Sequence, residues 1–244
     1  MILRQFILGL VFLATSSLAL SNTEFNYNVI GDGLEVTGCV DECPGALVIP
    51  EEIDGYVVTN IGDESFSDAE IYSLIIPDNV VRIGASAFRS NQLVDITFPD
   101  SVVFIGENAF RENLLTELII PDNVKFISEH AFYDNFLSAV TFSDNLLTIG
   151  DFAFSRNQLS IVNLPSGILE IGLSSFKQNP LTEFNVPDHL TNQYHNSFWD
   201  SPFNYVNGSV GIESNGFKYL QLSDKAMILG CSSACSDNII IPNV

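Results

Sequence analysis

The sequence predicts a repeat solenoid that is mainly β, a right-handed coil built from 22-residue turns. The first observation is a phenylalanine that returns at this spacing, at Phe66, Phe88, Phe110, Phe132, Phe154, Phe176 and Phe198. The second is that the residues before it also recur, as Ile83-Gly84-Ala85-Ser86-Ala87-Phe88 and Ile105-Gly106-Glu107-Asn108-Ala109-Phe110. Self-similarity at a fixed period indicates stacked coils, not a closed globule. We therefore expect the phenylalanines to form a buried structural spine.

Each turn opens with a strand pattern. Residues 115–123 place apolar side chains at positions one, four and six and an asparagine at position nine, which is the leucine-rich-repeat template. Period-two alternation directs positions four and six inward and position five outward. A proline ends most of these strands because it has no amide hydrogen. Stacking such turns predicts a parallel strand ladder with short irregular or 3-10 segments between the strands.

A second extended segment follows the proline and ends in a glycine in most turns. The glycines at positions 84, 106, 150 and 172 allow either a tight bend or a close approach of two backbones. An asparagine then follows the phenylalanine by three residues, at Asn91, Asn113, Asn135, Asn157 and Asn179. An amide at a fixed corner can bond backbone groups of its own and adjacent turns, so we interpret these residues as scaffold and not as ligand contacts.

Residues 1–21 have the pattern of a secretory signal peptide. Arg4 supplies the positive start, an apolar run follows, and Ser17-Leu18-Ala19 supplies the small residues of a cleavage site. The apolar run is too short for a transmembrane anchor, and no other stretch approaches the roughly 20 apolar residues that a span needs. We therefore expect a secreted or cell-surface protein without a transmembrane segment in the mature chain.

A second repetition lies beneath the first, because residues 25–50 align without gaps with residues 217–242. The first copy, within residues 22–46, is expected to be a hairpin cap with its turn at Gly31-Asp32-Gly33. Residues 47–206 would form the solenoid, about seven turns. Residues 207–244 hold the second copy, which is either a terminal cap or the start of a shortened second module.

Each copy contains two cysteines with three residues between them, Cys39 with Cys43 and Cys231 with Cys235. In an exported chain each pair is expected to form a local disulfide. A zinc site would need all four thiolates together, and the two pairs lie at opposite ends of the predicted rod.

The charge balance excludes several partners. Nine basic and 30 acidic residues give a net charge of -21, which disfavours nucleic acid and anionic membrane surfaces. Solubility is one explanation of the acidity, and a column of aspartates that could bind calcium is another. The column contains Asp78, Asp100, Asp122, Asp144 and Asp188. Because the glycine-rich repeats of calcium rolls are missing and aspartate after proline commonly forms turns, we expect no metal or cofactor.

We find no sequence pattern of an enzyme and expect no catalytic residues. His130, His189 and His195 occupy different phases of the repeat, so they cannot stack into one column. No metalloprotease, hydrolase or phosphate-loop motif accompanies them.

The candidate partner-binding residues face outward from the two extended segments. The first-segment strip contains Ile75, Thr97, Ile119 and Thr141, and the second-segment strip contains Arg82, Phe104 and Phe126. If the two phenylalanines are exposed, they form an apolar patch of the kind found at protein interfaces. If a neighbouring loop covers them, they belong to the core. The sequence leaves both possibilities open.

The repeated unit, with its proline, Ile-Gly and Ala-Phe elements in phase over residues 25–206, resembles the BspA-like leucine-rich repeats of bacterial surface proteins. The resemblance implies a non-catalytic protein at the cell surface or in the extracellular space, which binds a protein or a glycan or mediates adhesion. The alternative is a structural spacer in a larger surface protein. An enzyme or a calcium-binding protein is a more remote alternative.

Overall fold

The computed structural model describes residues 23–185, the single residues 187 and 190, and five short strands between residues 205 and 231. The strands are β1 (Phe25–Ile30), β2 (Gly33–Cys39), β3 (Ala46–Val48), β4 (Glu52–Ile53), β5 (Tyr56–Ile61), β6 (Ser73–Ile75), β7 (Arg82–Ile83), β8 (Phe104–Ile105), β9 (Glu117–Ile119), β10 (Phe126–Ile127), β11 (Ala139–Thr141), β12 (Thr148–Ile149), β13 (Ile161–Asn163), β14 (Glu170–Ile171), β15 (Glu183–Asn185), β16 (Tyr205–Val206), β17 (Ser209–Val210), β18 (Ile212–Ser214), β19 (Phe217–Leu222) and β20 (Lys225–Cys231). The predictions for residues 1–21 and for Asp188, His189, His195, Phe198 and Cys235 lie outside the described residues.

Two parallel ladders run along the coil. The second extended segments form the longer ladder, in the order β5-β7-β8-β10-β12-β14. Each paired residue faces the residue 22 positions further along the chain, in the next strand. The first segments pair as β3-β6, β9-β11 and β13-β15. Residues 93–98 form no strand and interrupt this second ladder. The predicted mainly-β solenoid with parallel strands is confirmed.

The phenylalanine spine lies at the centre of the coil. Six of its seven members, Phe66 to Phe176, are fully buried among the described residues. Successive rings stack with centroids 5.4–5.6 Å apart and interplanar angles of 5–16°. Phe98 and Phe142, at position six of the repeat template, meet the spine edge-on, so aromatic packing extends sideways from it.

Each buried asparagine connects two neighbouring coils at one corner. The Oδ1 atom of Asn113 accepts the Leu93 amide at 3.1 Å, and its Nδ2 atom donates to the Phe88 carbonyl at 2.8 Å. The Nδ2 atom also lies 3.2 Å from the carbonyl oxygen of Phe110 in its own coil. Asn91, Asn135, Asn157 and Asn179 repeat the contacts with the preceding coils. Each asparagine side chain therefore forms hydrogen bonds with backbone amide and carbonyl groups that have no partner in the strand ladders.

The backbone around each spine residue is left-handed at two positions without glycine. The residues two before and two after Phe88, Ser86 and Ser90, have φ values of 54° and 55°. Their amides donate to carbonyls of the next coil, with distances of 2.7 Å to Glu107 O and 2.8 Å to Arg111 O. The same pair of positive φ values recurs around Phe66, Phe110, Phe132, Phe154 and Phe176. Hydrogen bonds between coils thus offset a conformation that is unfavourable for residues with a Cβ atom.

The glycine column serves a close backbone approach, not a bend. Gly84, Gly106, Gly150 and Gly172 are not among the positive-φ residues. A Cβ atom on Gly150 would lie 2.6 Å from the Glu129 nitrogen of the preceding coil. Ser128 is the exception in this column, and its hydroxyl donates to the Ile105 carbonyl at 2.6 Å.

The first coil is covered by a hairpin. β1 and β2 pair antiparallel, and β2 pairs parallel with β5. Cys39 and Cys43 form a disulfide with a Cα–Cα distance of 5.4 Å, and the Phe25 ring contacts Phe66 edge-on with centroids 6.4 Å apart. The hairpin therefore closes the apolar end of the spine.

We expect Phe110→Ala to lower the free energy of unfolding by about 3–5 kcal/mol, because the ring is fully buried and its loss leaves a cavity between two stacked rings. Urea unfolding monitored by circular dichroism measures the change. Phe136→Ala is the control, since Phe136 is exposed, and it should change stability by less than about 0.5 kcal/mol. Equal losses in the two variants would contradict a structural spine.

Asn135→Ala is expected to cost about 1–3 kcal/mol, because it leaves the buried Leu115 amide, 3.1 Å away, without its partner and removes one of the two asparagine donors to the Phe110 carbonyl, 2.9 Å away. The control is Asn145→Ala, whose exposed side chain donates one bond to Asp122 O. It should lose about 1 kcal/mol or less. Thermal or urea unfolding of both variants checks the difference, and a smaller loss for Asn135→Ala would contradict the scaffold role.

Gly150→Ala tests the close approach between coils. The new methyl group would meet backbone atoms at 2.6–2.7 Å, so we expect a loss of about 1–3 kcal/mol. In Gly167→Ala the added atom would lie 3.4 Å from Asp144 O, and little change is expected. Urea unfolding compares the two, and an unchanged Gly150→Ala would show that the coils have room to separate.

Candidate functional site

The second-segment strip lies on the outer face of the longer ladder. The register places Arg82 beside Phe104 and Phe104 beside Phe126, with Thr148 next. The following residue of each strand, an isoleucine, points into the core and is buried. Because side chains alternate along a strand, the outward residues form one continuous column.

The two phenylalanines of this column are not equivalent. Phe126 has 48% of its surface exposed. Phe104 is half-buried, with the guanidinium of Arg82 5.0 Å from its ring centroid. Arg82 is itself held by Asp63, 3.2 Å away. Phe126 is therefore open to solvent, whereas Phe104 is partly covered by a cation of its own chain.

Apolar side chains extend the column sideways. Val81, Val103 and Leu169 precede the outward residues in their coils and are exposed. We call Val81, Arg82, Val103, Phe104, Phe126 and Leu169 the Phe126 strip. Its backbone is held by bonds between coils, such as Val81 N to Thr59 O at 2.8 Å and Val103 N to Val81 O at 3.0 Å. The strip is thus a preformed apolar surface on a hydrogen-bonded scaffold.

The first-segment strip is less continuous. Ile119, with 70% of its surface exposed, pairs with Thr141, and Ile75 is exposed in β6. Thr97 lies between them in the interrupted part of the ladder, exposed but outside a strand. The structure therefore brings Ile119 and Thr141 together, and it separates Ile75 from them by a coil.

A third outward face was missed by sequence reasoning. Tyr133 lies between two arginines, with its ring centroid 4.9 Å from the Arg111 guanidinium carbon and 5.8 Å from that of Arg156. Glu112 is 2.9 Å from Arg111 and 3.5 Å from Arg89. Arg89, Arg111 and Tyr133 each follow a spine residue directly, so the 22-residue period could have revealed this column.

Hydrogen bonds and neighbouring charges on this face shift the pKa of the Glu112 carboxyl group. Partial burial raises the pKa of its carboxyl group, but hydrogen bonds from Ser90 and Arg111 and the charges of Arg111 and Arg89 lower it more, so the pKa lies below its usual value. The arginines are paired within the chain. We therefore interpret this face as a stabilising network.

The described residues contain no grouping of three His, Cys, Asp or Glu side chains that could hold a metal ion. In the aspartate column, Asp78, Asp100, Asp122 and Asp144 are exposed, and neighbouring asparagines bond backbone carbonyls there, as Asn123 Nδ2 does with Asp100 O at 2.7 Å. His130 stacks on Phe152, with centroids 5.0 Å apart, and its Nδ1 atom lies 3.2 Å from Glu129. In the part of the chain that the structure describes, no helix has the length and apolarity of a membrane span.

Comparisons with known proteins agree with this architecture. A family model for the BspA-type leucine-rich repeat region matches residues 59–179 and 103–223, with six copies. None of the curated proteins matches the chain in sequence.

Two solved structures are similar in fold. One is a leucine-rich cell surface protein from Faecalibacterium prausnitzii, with a TM-score of 0.54 and 19% identity over 90% of this chain and 63% of the other. The second is the pneumococcal vaccine antigen PcpA, with a TM-score of 0.54 and 19% identity over 81% of this chain and 50% of the other. The chain therefore spans less than two thirds of the length of either structure.

Proposed function

The chain belongs to the BspA-type leucine-rich repeat family, and on this premise we propose that it is an exported, non-catalytic module that binds an extracellular or cell-surface protein through the Phe126 strip. Leucine-rich repeat proteins present extended surfaces of stacked coils, which suit protein recognition. The description of one structural neighbour as a cell surface protein and the signal-peptide pattern of residues 1–21 support an exported position.

The exposure of Phe126 is the observation that carries this proposal. Almost half of the Phe126 ring remains in water, so the ring contributes only part of the burial free energy that a fully covered ring would give to folding. The same ring would supply a large apolar contact if a partner covered it. Aromatic residues and arginine dominate the residues that contribute most to protein interfaces, and this strip contains Phe104, Phe126 and Arg82.

The arrangement around Phe126 favours a protein partner over a small ligand. The strip is an outward strand face in which Val103 lies on the coil next to Phe126, and Val81 and Leu169 lie two coils away on either side. These exposed aliphatic residues suit apolar side chains of a partner. Arg82 is oriented by Asp63 and by the Phe104 ring, so little side-chain entropy is lost when a partner packs against it.

We expect Phe126→Ser to weaken binding about 10–100-fold, the loss typical of a central aromatic contact. Surface plasmon resonance with immobilised extracellular-matrix proteins, followed by flow cytometry on intact cells, provides the measurement. Phe136→Ser is the matched control, because Phe136 is 53% exposed on a different corner of the coil and is not part of the strip. It should bind as the unmodified protein does.

Folding of both variants is checked by circular dichroism and thermal unfolding. Binding that Phe126→Ser retains would contradict the proposed face. If the unmodified protein binds none of the probes, a structural spacer becomes the better explanation of the chain.

A further inference from the structure

Within the part of the chain that the structure describes, β1 has a neighbouring strand on one side only. β1 is the terminal strand of its sheet among the described residues, in the order β1-β2-β5. The Val40 amide donates to Glu24 O at 2.9 Å, so position 24 faces the β2 side. Because backbone groups alternate in direction along an antiparallel strand, those of Phe25, Tyr27 and Val29 point to the free side.

The chain contains a second copy of this hairpin for comparison. β19 and β20 repeat the pairing of β1 and β2, with Phe217↔Cys231 in the place of Phe25↔Cys39. The register shift also recurs, between Lys218 and Tyr219 in one copy and between Asn26 and Tyr27 in the other. The two hairpins therefore have corresponding edges.

In the second copy this edge is occupied. β18 pairs antiparallel with β19 on the side away from β20, with Ile212 opposite Tyr219 and Ser214 opposite Phe217. Tyr219 and Phe217 correspond to Tyr27 and Phe25, whose backbone groups point to the free side of β1. A hairpin with this sequence pattern therefore accepts a third, antiparallel strand at the edge that corresponds to the free side of β1. By the same alignment, β18 corresponds to residues 20–22, and the predicted export signal ends within that segment.

The side chains of β1 also suit strand pairing. None of its six residues is charged, in a chain with a net charge of -21. Val29 is 49% exposed, and Ile30 beside it is also exposed. Proteins usually protect an edge strand with charge, with proline or with a covering segment. The six residues of β1 therefore bring no charged side chain of their own into a contact between two copies of this acidic chain. The carboxylates bonded to β1 belong to Asp54, which accepts from the Tyr27 hydroxyl, and to Glu35, which accepts from the Asn28 side-chain amide.

We propose that the free edge of β1 pairs antiparallel with β1 of a second copy of this chain, forming a two-fold symmetric dimer. An antiparallel pair of identical strands is compatible with a two-fold axis. If a residue of the first strand faces a given residue of the second, the same two residues also face each other with the strands exchanged. The outward backbone groups of Phe25, Tyr27 and Val29 supply the hydrogen bonds. The dimer leaves the Phe126 strip, on the strands β7, β8, β10 and β14 and their preceding residues, free for a different partner.

Sedimentation velocity over a range of protein concentrations tests this proposal, with the N-terminus of the purified protein determined by mass spectrometry. We expect a monomer–dimer equilibrium that Val29→Lys weakens at least about tenfold, because a charge at an edge opposes strand addition. Val94→Lys is the matched control, since Val94 is 48% exposed and lies outside the strands. It makes the same charge change and should leave the equilibrium as it is.

Hydrogen exchange of the unmodified protein provides a test that needs no variant. The amides of Phe25, Tyr27 and Val29 should become more protected as the protein concentration rises. A protein that stays monomeric overturns the proposal, and so does a dimer that both variants keep or both lose. Protection of these amides at every concentration in a monomer would also overturn it, because a segment of the same chain would then cover the edge.

Discussion

The structure depends on hydrogen bonding between one coil and the next. Each strand of the longer ladder pairs with the residue 22 positions further on, which holds neighbouring coils at the strand spacing of about 4.8 Å. The spine rings follow this spacing with centroids 5.4–5.6 Å apart, close enough to stack without a gap. A residue inserted within a turn would displace the spine ring, the asparagine and the glycine of that turn together, so all three share one period.

This dependence explains why the corners tolerate unfavourable local geometry. Two non-glycine residues in each turn have left-handed backbones, and glycine is used instead where two backbones nearly touch. In both cases an adjacent coil determines which backbone geometry is acceptable. The left-handed residues gain hydrogen bonds to the next coil, and the glycine avoids a clash with the preceding coil. Ser128 fits the glycine column because its hydroxyl bonds a backbone carbonyl of the neighbouring coil.

The outer surface is less constrained, and this is where function can arise. Positions that face water can change without disturbing the spine, so a column of outward residues can become apolar, aromatic or charged. The Phe126 strip and the network around Tyr133 are two such columns on different faces of one scaffold. In the first, the aromatic ring of Phe126 remains open to solvent. In the second, arginines of the same chain cover the ring, which makes it part of the stabilising surface.

The 22-residue period alone determined the coil, the parallel strands, the inward direction of the phenylalanines and the role of the asparagines. Residues at the same position of each turn occupy the same environment in a stack of coils, so one turn describes the others. It also placed Arg82, Phe104 and Phe126 in one column. Only the tertiary structure decided that Phe126 is exposed while Arg82 lies over Phe104, since that depends on side-chain positions in neighbouring coils. Many of the left-handed residues were equally hidden, because serine, glutamate and phenylalanine carry no local signal for positive φ. Bonds to the next coil impose that conformation, and a single turn of sequence does not contain them.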